Sequence, residues 1–551
     1  MIQTYIGVSC RRLLYLFFFF IGSQVVLGQA DITARYWIFF QDKHGCTFDP
    51  YSYFSPEALL RRQREGLSLQ DSTDFPLNAN YLTEVIKSST NCVGQSRWFN
   101  AVVSDLNLEQ FEKIRAFPFV IHTARVDQLE VKPCHQKIDE KLESLLVAQT
   151  EVLQYPQFAD KKLDGSGITI AVFDAGFSGF INNPHLQHLI DNKQIKATFN
   201  FVTERNFVFD YHDHGTMVTS CIAGKTDTSP MGCATGAKFL LARTEQTKSE
   251  SQIEEYNWVR SLEWADQHGA DIINSSLGYT HQLYKRNDMT GHSHMMAKAA
   301  NMAFSKGMLI VNSAGNEGDD WWEIVAGPAD SDSILTVGGI DPLNGMHHPQ
   351  SSYGPNTSGG LKPNVSAFFS AIVTKNGRLI KADGTSFSAP LVAGFAACVW
   401  QLHPDWTVQR LFQEIQKSGH LYPYYDYAHG YGVPQASYFT AANKTNEKQF
   451  DFTYDKEVDR YYIKLCKPSA NMQRDAQVAQ SNLFNYVYYH LCDEMGKLLS
   501  YHVIMPDEFE GAQLEMSNCD DCIVRVHYKG QTTETTRNQI RLQYNKTNAE
   551  D

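Results

Sequence analysis

Between Gly167 and Ala442, short and continuously apolar runs alternate with helical stretches and glycine-rich turns. Ile168–Phe173, Phe239–Ala242, Asp271–Ser275, Met308–Asn312 and Ile334–Gly338 read as strands buried on both faces, and the segments between them are long enough for crossover helices. Few architectures accept that pattern. It predicts an α/β domain, a parallel sheet with helices on both faces, and puts any site beyond the carboxyl ends of the strands.

The remaining sequence is organised around this region, because 551 residues are too many for one ordinary domain. From Ala34 to about Val131 the pattern predicts a small α+β module. It has a strand at Tyr36–Phe40, then a helix capped by Ser55, with Pro56 in its first turn and a stop at Gly66. A strand-like run at Trp98–Ser104, a helix at Leu106–Phe117 and a strand at Phe119–Thr123 follow. Residues 132–165 are polar and charged, as in a linker. After the polar stretch Asn443–Lys448, runs such as Phe450–Tyr454 and Ile523–Tyr528 alternate as strands and predict a small β-rich domain. The expected divisions are therefore 1–30, 31–131, 132–165, 166–442 and 449–551.

Arg11 and Arg12 precede an apolar run from Leu13 to Leu27, and Gly28-Gln29-Ala30 follows with small residues, which predicts an export signal over residues 1–30. The run is shorter than the roughly 20 residues a spanning helix needs, and no membrane span is expected after it. Localisation is thus expected to be secreted or extracytoplasmic, where cysteines can pair, although order alone does not give their partners. Cys519 and Cys522 lack a second ligand pair at zinc spacing. With 48 basic against 61 acidic residues there is no broad positive surface for phosphates, so nucleic acid is not an expected partner.

Three local patterns carry chemistry, in the order Asp, His, Ser. Ile170 to Gly176 is an apolar strand delivering Asp174 at its carboxyl end before a glycine turn. Asp213-His214-Gly215-Thr216 sets an imidazole at a helix start, and Gly384-Thr385-Ser386-Phe387-Ser388-Ala389-Pro390 sets a hydroxyl at another, with Pro390 expected in its first turn. A serine hydroxyl is a poor nucleophile until an imidazole accepts its proton and a buried carboxylate orients that imidazole. Ser313-Ala314-Gly315-Asn316 adds a carboxamide past a strand end, a donor suited to a developing oxyanion. Taken singly, each residue is also an ordinary turn or capping residue, and His212 with His214 permits a metal reading. The α/β-hydrolase plan is excluded, since it needs Gly-x-Ser-x-Gly and the order Ser, acid, His.

Together these motifs resemble the subtilisin-like (subtilase) serine peptidase family over roughly half of the chain. The resemblance implies Asp174, His214 and Ser386 as a catalytic triad and Asn316 as the oxyanion donor. It implies Ser276, Leu277 and Gly278 as a substrate-cleft strand, Ser313, Ala314 and Gly315 as the opposite wall of the primary pocket, and Lys362-Pro363-Asn364-Val365 as the segment leading to the nucleophile. The small residues at 278, 314 and 315 predict an open pocket for a large apolar side chain, narrowed by Trp321 and Trp322. Two positions depart from the family pattern: Ala175 stands where Ser or Thr is usual, which would remove a hydroxyl bond to the carboxylate, and Phe387 stands where Met is usual. The N-terminal module resembles the family's propeptide. The expected function is therefore a secreted serine endopeptidase made as a pre-proprotein, with protein or peptide substrates and its own propeptide as intramolecular inhibitor. No cofactor is expected for the chemistry. Structural calcium is common in the family, yet no acidic loop with the spacing of a dedicated site occurs in the sequence. The competing expectation is an exported, catalytically silent binding protein of the same fold.

Overall fold

The computed structural model describes residues 33–126, 142–246, 252–441, 448–466, 483–506, 511–516 and 522–550. The expected export signal lies outside the described residues, as do residues 127–141 between the N-terminal module and the α/β domain.

The N-terminal module comprises β1 (Ala34–Phe40), α1 (Pro50–Tyr53), α2 (Pro56–Arg64), α3 (Ala79–Ser88), β2 (Asn91–Ser96), β3 (Ala101–Leu106), α4 (Leu108–Arg115) and β4 (Val120–Val126). Its strands form an antiparallel sheet in the order β2-β3-β1-β4. Alternation along β1 sends Ile38 and Phe40 to a core with Val85 of α3 and Ile114 of α4, while Trp37 faces the other way with Val103. Ser55 caps α2, accepting from Ala58 N, with Pro56 at the first helical position, as the sequence predicts. α3 and β2 were not expected; β2 is a polar edge strand with no apolar alternation to announce it.

The stretch expected to be a linker folds, over part of its length, into α5 (Leu142–Glu151) and α6 (Tyr155–Ala159). Its polarity misleads because Gln149 is buried: its amide donates to the carbonyls of Met231 and Ile372 and accepts from Ile372 N.

The α/β domain follows with β5 (Thr169–Asp174), α7 (Gln187–Asp191), β6 (Ile195–Asn200), α8 (His214–Ala223), β7 (Lys238–Arg243), α9 (Gln252–Gln267), β8 (Ile272–Ser275), α10 (Met295–Ser305), β9 (Leu309–Ser313), β10 (Ile334–Ile340) and β11 (Val365–Phe368). These seven strands make one parallel sheet in the order β11-β10-β9-β8-β5-β7-β6. A hairpin, β12 (Ser370–Lys375) with β13 (Arg378–Asp383), leads into α11 (Thr385–Leu402), and α12 (Val408–Lys417) and α13 (Ser437–Thr440) close the domain. Alternate residues of β5 face opposite layers. Ile170 and Val172 pack with α8 and α11, whereas Ala171 and Phe173 pack with α9 and α10. Contrary to the sequence reading, one later segment is long and apolar enough to cross a membrane, the helix Thr385–Leu402, and 83% of it is buried in this core.

The C-terminal part consists of β14 (Phe450–Asp455), β15 (Arg460–Leu465), β16 (Val487–Cys492), β17 (Leu498–Ile504), β18 (Ala512–Leu514), β19 (Ile523–Tyr528) and β20 (Gln531–Thr535), then a closing helix, Arg537–Glu550. Sheets β14-β15-β18 and β17-β16-β19-β20 are antiparallel and share a core of Phe450, Ile463, Tyr489, Leu514 and Val526. Cys522 is disulfide-bonded, which removes it as a zinc ligand. Cys221, Cys233 and Cys398 are buried free thiols of the α/β core.

Candidate active site

Asp174 ends β5 at the carboxyl edge of the sheet, its side chain 1% exposed. Its two carboxylate oxygens lie 3.0 and 2.9 Å from His214 Nδ1, and one also accepts from Ala175 N at 2.8 Å. The backbone amide of Ala175 therefore holds the carboxylate that a hydroxyl at this position was expected to orient. His214 is the first residue of α8, and Gly215 lets the two segments meet: a Cβ there would lie 2.6 Å from the Gly176 carbonyl. Burial alone would lower the His214 pKa, but the charge and hydrogen bond of Asp174 override it and hold the imidazole above the ordinary histidine range. His212 does not share a site with His214 as a metal ligand would; its Nδ1 accepts from His214 N at 3.2 Å.

Ser386 is the second residue of α11, and the ring of the next residue, Phe387, packs 5.7 Å from the His214 imidazole, filling the place where methionine is usual. The Ser386 hydroxyl is turned to the Ser276 carbonyl at 3.4 Å and is not bonded to His214. Hydrogen bonds of this kind are often long or misaligned before substrate is bound. Pro390 stands in the second turn of α11, not the first, and its missing N–H leaves the Ser386 carbonyl without its intrahelical donor. Ser276 Oγ supplies that donor at 2.9 Å and itself accepts from Asn274 Nδ2 at 3.1 Å. A sequence signal for this existed: a proline four residues after a serine that must be held still.

Asn316 is oriented by Thr385, a residue the sequence reading passed over. Asn316 Oδ1 accepts from both Thr385 N and Thr385 Oγ1 at 2.9 Å, which fixes the oxygen end and leaves Nδ2 facing out. At the start of α11 the Thr385 N–H is used by Asn316 and that of Phe387 by the Gly384 carbonyl, so the intervening Ser386 N–H is the one left over.

The expected pocket residues lie beside this centre. Ser276, Leu277 and Gly278 follow β8, and Ser313, Ala314 and Gly315 lie at and beyond the end of β9; Asn312 Nδ2 donates to the Leu277 carbonyl at 3.0 Å and ties the two segments together. Ala314 is buried against Val325 and Ala329. Trp322 is wholly buried with Met289 and Ile324, and cannot narrow a pocket as expected; exposed Trp321 packs on His281. Lys362 Nζ is buried among the Ser331 and Ile334 carbonyls, Thr336 Oγ1 and Asn364 Oδ1 at 2.6–3.2 Å, fixing the loop beneath.

The model of the subtilase family matches residues 165–446, half of the chain and the whole region that carries these groups. The chain belongs to the subtilase family. A second family model, the peptidase S8 propeptide domain of Bacteroidota, matches residues 35–141 of this subtilase. The alkaline protease of Alkalihalobacillus alcalophilus is 28% identical over 306 residues, which cover 54% of this chain and 73% of that one. Subtilisin E of Bacillus subtilis is 26% identical over 321 residues, 56% of this chain and 77% of its own. Among solved structures, the epidermin leader peptide processing serine protease of Staphylococcus aureus has the same fold, with a TM-score of 0.53 and 16% identity over 75% of this chain and all of that one. The subtilase is thus a subtilisin-like serine endopeptidase with a propeptide domain. Catalysis in the family needs no cofactor. Among the described residues no three His, Cys, Asp or Glu side chains converge as metal ligands.

Proposed function

We propose that the chain is exported as a pre-proprotein and hydrolyses peptide bonds through an acyl-enzyme on Ser386. The observation that carries this reading is the pair of buried Asp174 and part-exposed His214, at 2.9 Å, beside the α11 start that bears Ser386 and the Thr385-anchored Asn316. Rotation of the Ser386 side chain away from the Ser276 carbonyl brings its proton toward the imidazole. Neutral His214 takes that proton while its Nδ1–H stays on Asp174, and the resulting imidazolium then protonates the leaving amine. Asn316 Nδ2 and Ser386 N–H receive the oxyanion, at the positive end of the α11 dipole. Water completes turnover by the same route. Substrate backbone adds to the strand edge at Ser276, Leu277 and Gly278, facing Ser313, Ala314 and Gly315, which gives affinity with little demand on sequence.

In this reading residues 31–131 are the propeptide and intramolecular inhibitor, 166–442 the peptidase and 449–551 an appended β-rich domain. The test is labelling by a serine-directed phosphonate together with N-terminal sequencing of exported material. Labelling and processing are expected in the parent chain and neither in Ser386→Ala; unchanged processing in that variant would remove Ser386 as the nucleophile.

A further inference from the structure

Two lysines outside the catalytic centre hold their ammonium groups among neutral oxygens and, among the described residues, reach no carboxylate. Lys362, 1% exposed, precedes β11. Its Nζ donates to the Ser331 and Ile334 carbonyls at 2.6 and 2.8 Å, to Thr336 Oγ1 at 3.0 Å and to Asn364 Oδ1 at 3.2 Å. The two acids whose charge reaches it are engaged elsewhere: Asp330 with His294 Nε2 and Gly291 N, both at 2.8 Å, and Asp332 with Asn356 Nδ2 at 3.4 Å.

The loop itself points these oxygens inward. Backbone bonds from Ser331 N to the Pro328 carbonyl and from Ile334 N to the Ser331 carbonyl close the turn, at 3.0 and 3.2 Å. Thr336 Oγ1 donates its own proton to the Ala329 carbonyl, so only lone pairs face Lys362. Asn364 Oδ1 accepts from Thr336 N while Nδ2 donates to Gln416 Oε1, which fixes the carboxamide with its oxygen inward. Four acceptors thus converge without a donor among them, an arrangement that leaves buried polar atoms unmet unless a cation sits at their centre. The segment just before this loop bonds to both pocket walls, from Ala326 N to the Ala314 carbonyl at 3.1 Å and from Tyr279 N to the Gly327 carbonyl at 2.8 Å.

The N-terminal module repeats the device. Lys43 Nζ donates to the carbonyls of Ser72, Thr73, Phe75 and Arg97 at 2.7–2.8 Å. Arg97 N in turn donates to Glu263 of α9 at 3.0 Å, so this second cage stands where the module meets the peptidase. Neutral oxygens that replace a hydration shell are the ligands of monovalent metal ions. Calcium, common in the family, fits neither cage, because it takes carboxylate ligands and bonds of about 2.3–2.6 Å. We propose that these are cation cages occupied by the chain's own ammonium groups, so that both loops hold their shape without a bound metal and each takes up potassium when its lysine is removed. Burial pushes the Lys362 pKa down to about 7, with Asp330 and Asp332 countering, and that of Lys43 to about 8, with Glu263 and Asp74 countering, so both are ammonium at pH 6.

The test uses the full chain carrying Ser386→Ala, at pH 6, in potassium chloride or choline chloride at an equal ionic strength of about 0.15 M. The parent is expected to melt at the same temperature in both. Lys362→Ala is expected to melt below the parent in choline and to regain about 3 °C or more in potassium, as for an ion present at about ten times its Kd. Lys362→Met keeps the stem inside the cage and removes the charge, so its melting is expected to be the same in both salts. Equal melting of Lys362→Ala in both salts would overturn the proposal. So would recovery in methylammonium chloride but not in potassium, since that marks a need for N–H donors and not for charge alone. Should Lys362→Ala fold in neither salt, Lys43→Ala, at the part-exposed cage, carries the same test: recovery in potassium is expected, and equal melting overturns the proposal.

Discussion

At the scale of single residues, the chemistry depends on groups that fix other groups. Asp174 raises the His214 pKa, so the imidazole is neutral, and able to act as base, only above the ordinary value near 6.5. The acid limb of kcat/KM is therefore expected above pH 6.5. In Asp174→Asn that limb should move down, because the charge that most opposes burial is lost and only that of Asp213 remains, while kcat falls by about 10⁴ as the tautomer is lost. An acid limb that does not move would mean that His214 is not the titrating base. Asn316→Ala is expected to lower kcat by about 10²–10³ with little change in KM. Thr385→Val keeps the shape and the N–H bond to Asn316 but removes the hydroxyl, and should cost about tenfold in kcat alone, near the net value of one hydrogen bond. An equal rise in KM would point to a packing role for Thr385 instead. Asp174, His214, Ser386 and Asn316 each sit in a short local pattern, which is why the sequence alone nominates them as candidates. Thr385 and the Ala175 amide could not be nominated in this way, since the partner of Thr385 is distant in sequence and the Ala175 donor is a backbone group that any residue supplies.

Among the elements, those with a continuous apolar run were legible. β5, β7, β8, β9 and β10 fall where the sequence places strands, because both their faces are covered by helices. β6 was missed because its residues are mostly half-buried at the sheet edge, and β11 because four residues carry no period. α11 shows how an element can hide a functional constraint. Pro390 opens a gap in its hydrogen-bond ladder at the carbonyl of Ser386, and Ser276 Oγ fills it. Ser276→Ala is thus expected to destabilise the fold by about 1–3 kcal/mol, the cost of an unmet buried acceptor. Pro390→Ala restores an N–H to the helix, so Ser276→Ala in that background should cost less than half as much. Denaturant unfolding of the four proteins in this cycle measures the coupling, and additive effects would show that Ser276 acts elsewhere.

For the whole molecule, the β-rich part docks on the peptidase through buried imidazoles. His420 and His429 of the peptidase flank Tyr488, His490 Nδ1 lies 2.6 Å from the Tyr425 carbonyl, and Tyr424 faces both His490 and His527. Burial lowers the pKa of His527 to about 4 and that of neighbouring His347 to about 3, and it lowers His420 and His490 as well. Burial alone would raise the pKa of Asp426, but His429 and Tyr424 hold it low, so this carboxylate keeps its charge while the imidazoles titrate. The folded state thus binds fewer protons than the unfolded state between about pH 4 and 6.5, and this contact loses stability as pH falls through that window. The module contact responds in the opposite sense. Burial raises the Glu263 pKa to about 7, so stability there is present below the ordinary carboxylate value and is lost as pH rises toward 7. Acidification from pH 7.5 to 5 should therefore lower the hydrogen-exchange protection of the β16 amides at this contact while leaving the N-terminal module more firmly seated. His527→Gln, which removes a titrating group beside Thr532 Oγ1, should flatten the first response and not the second. Protection factors in β16 that are equal at both pH values in the parent would show that the imidazoles do not govern this contact.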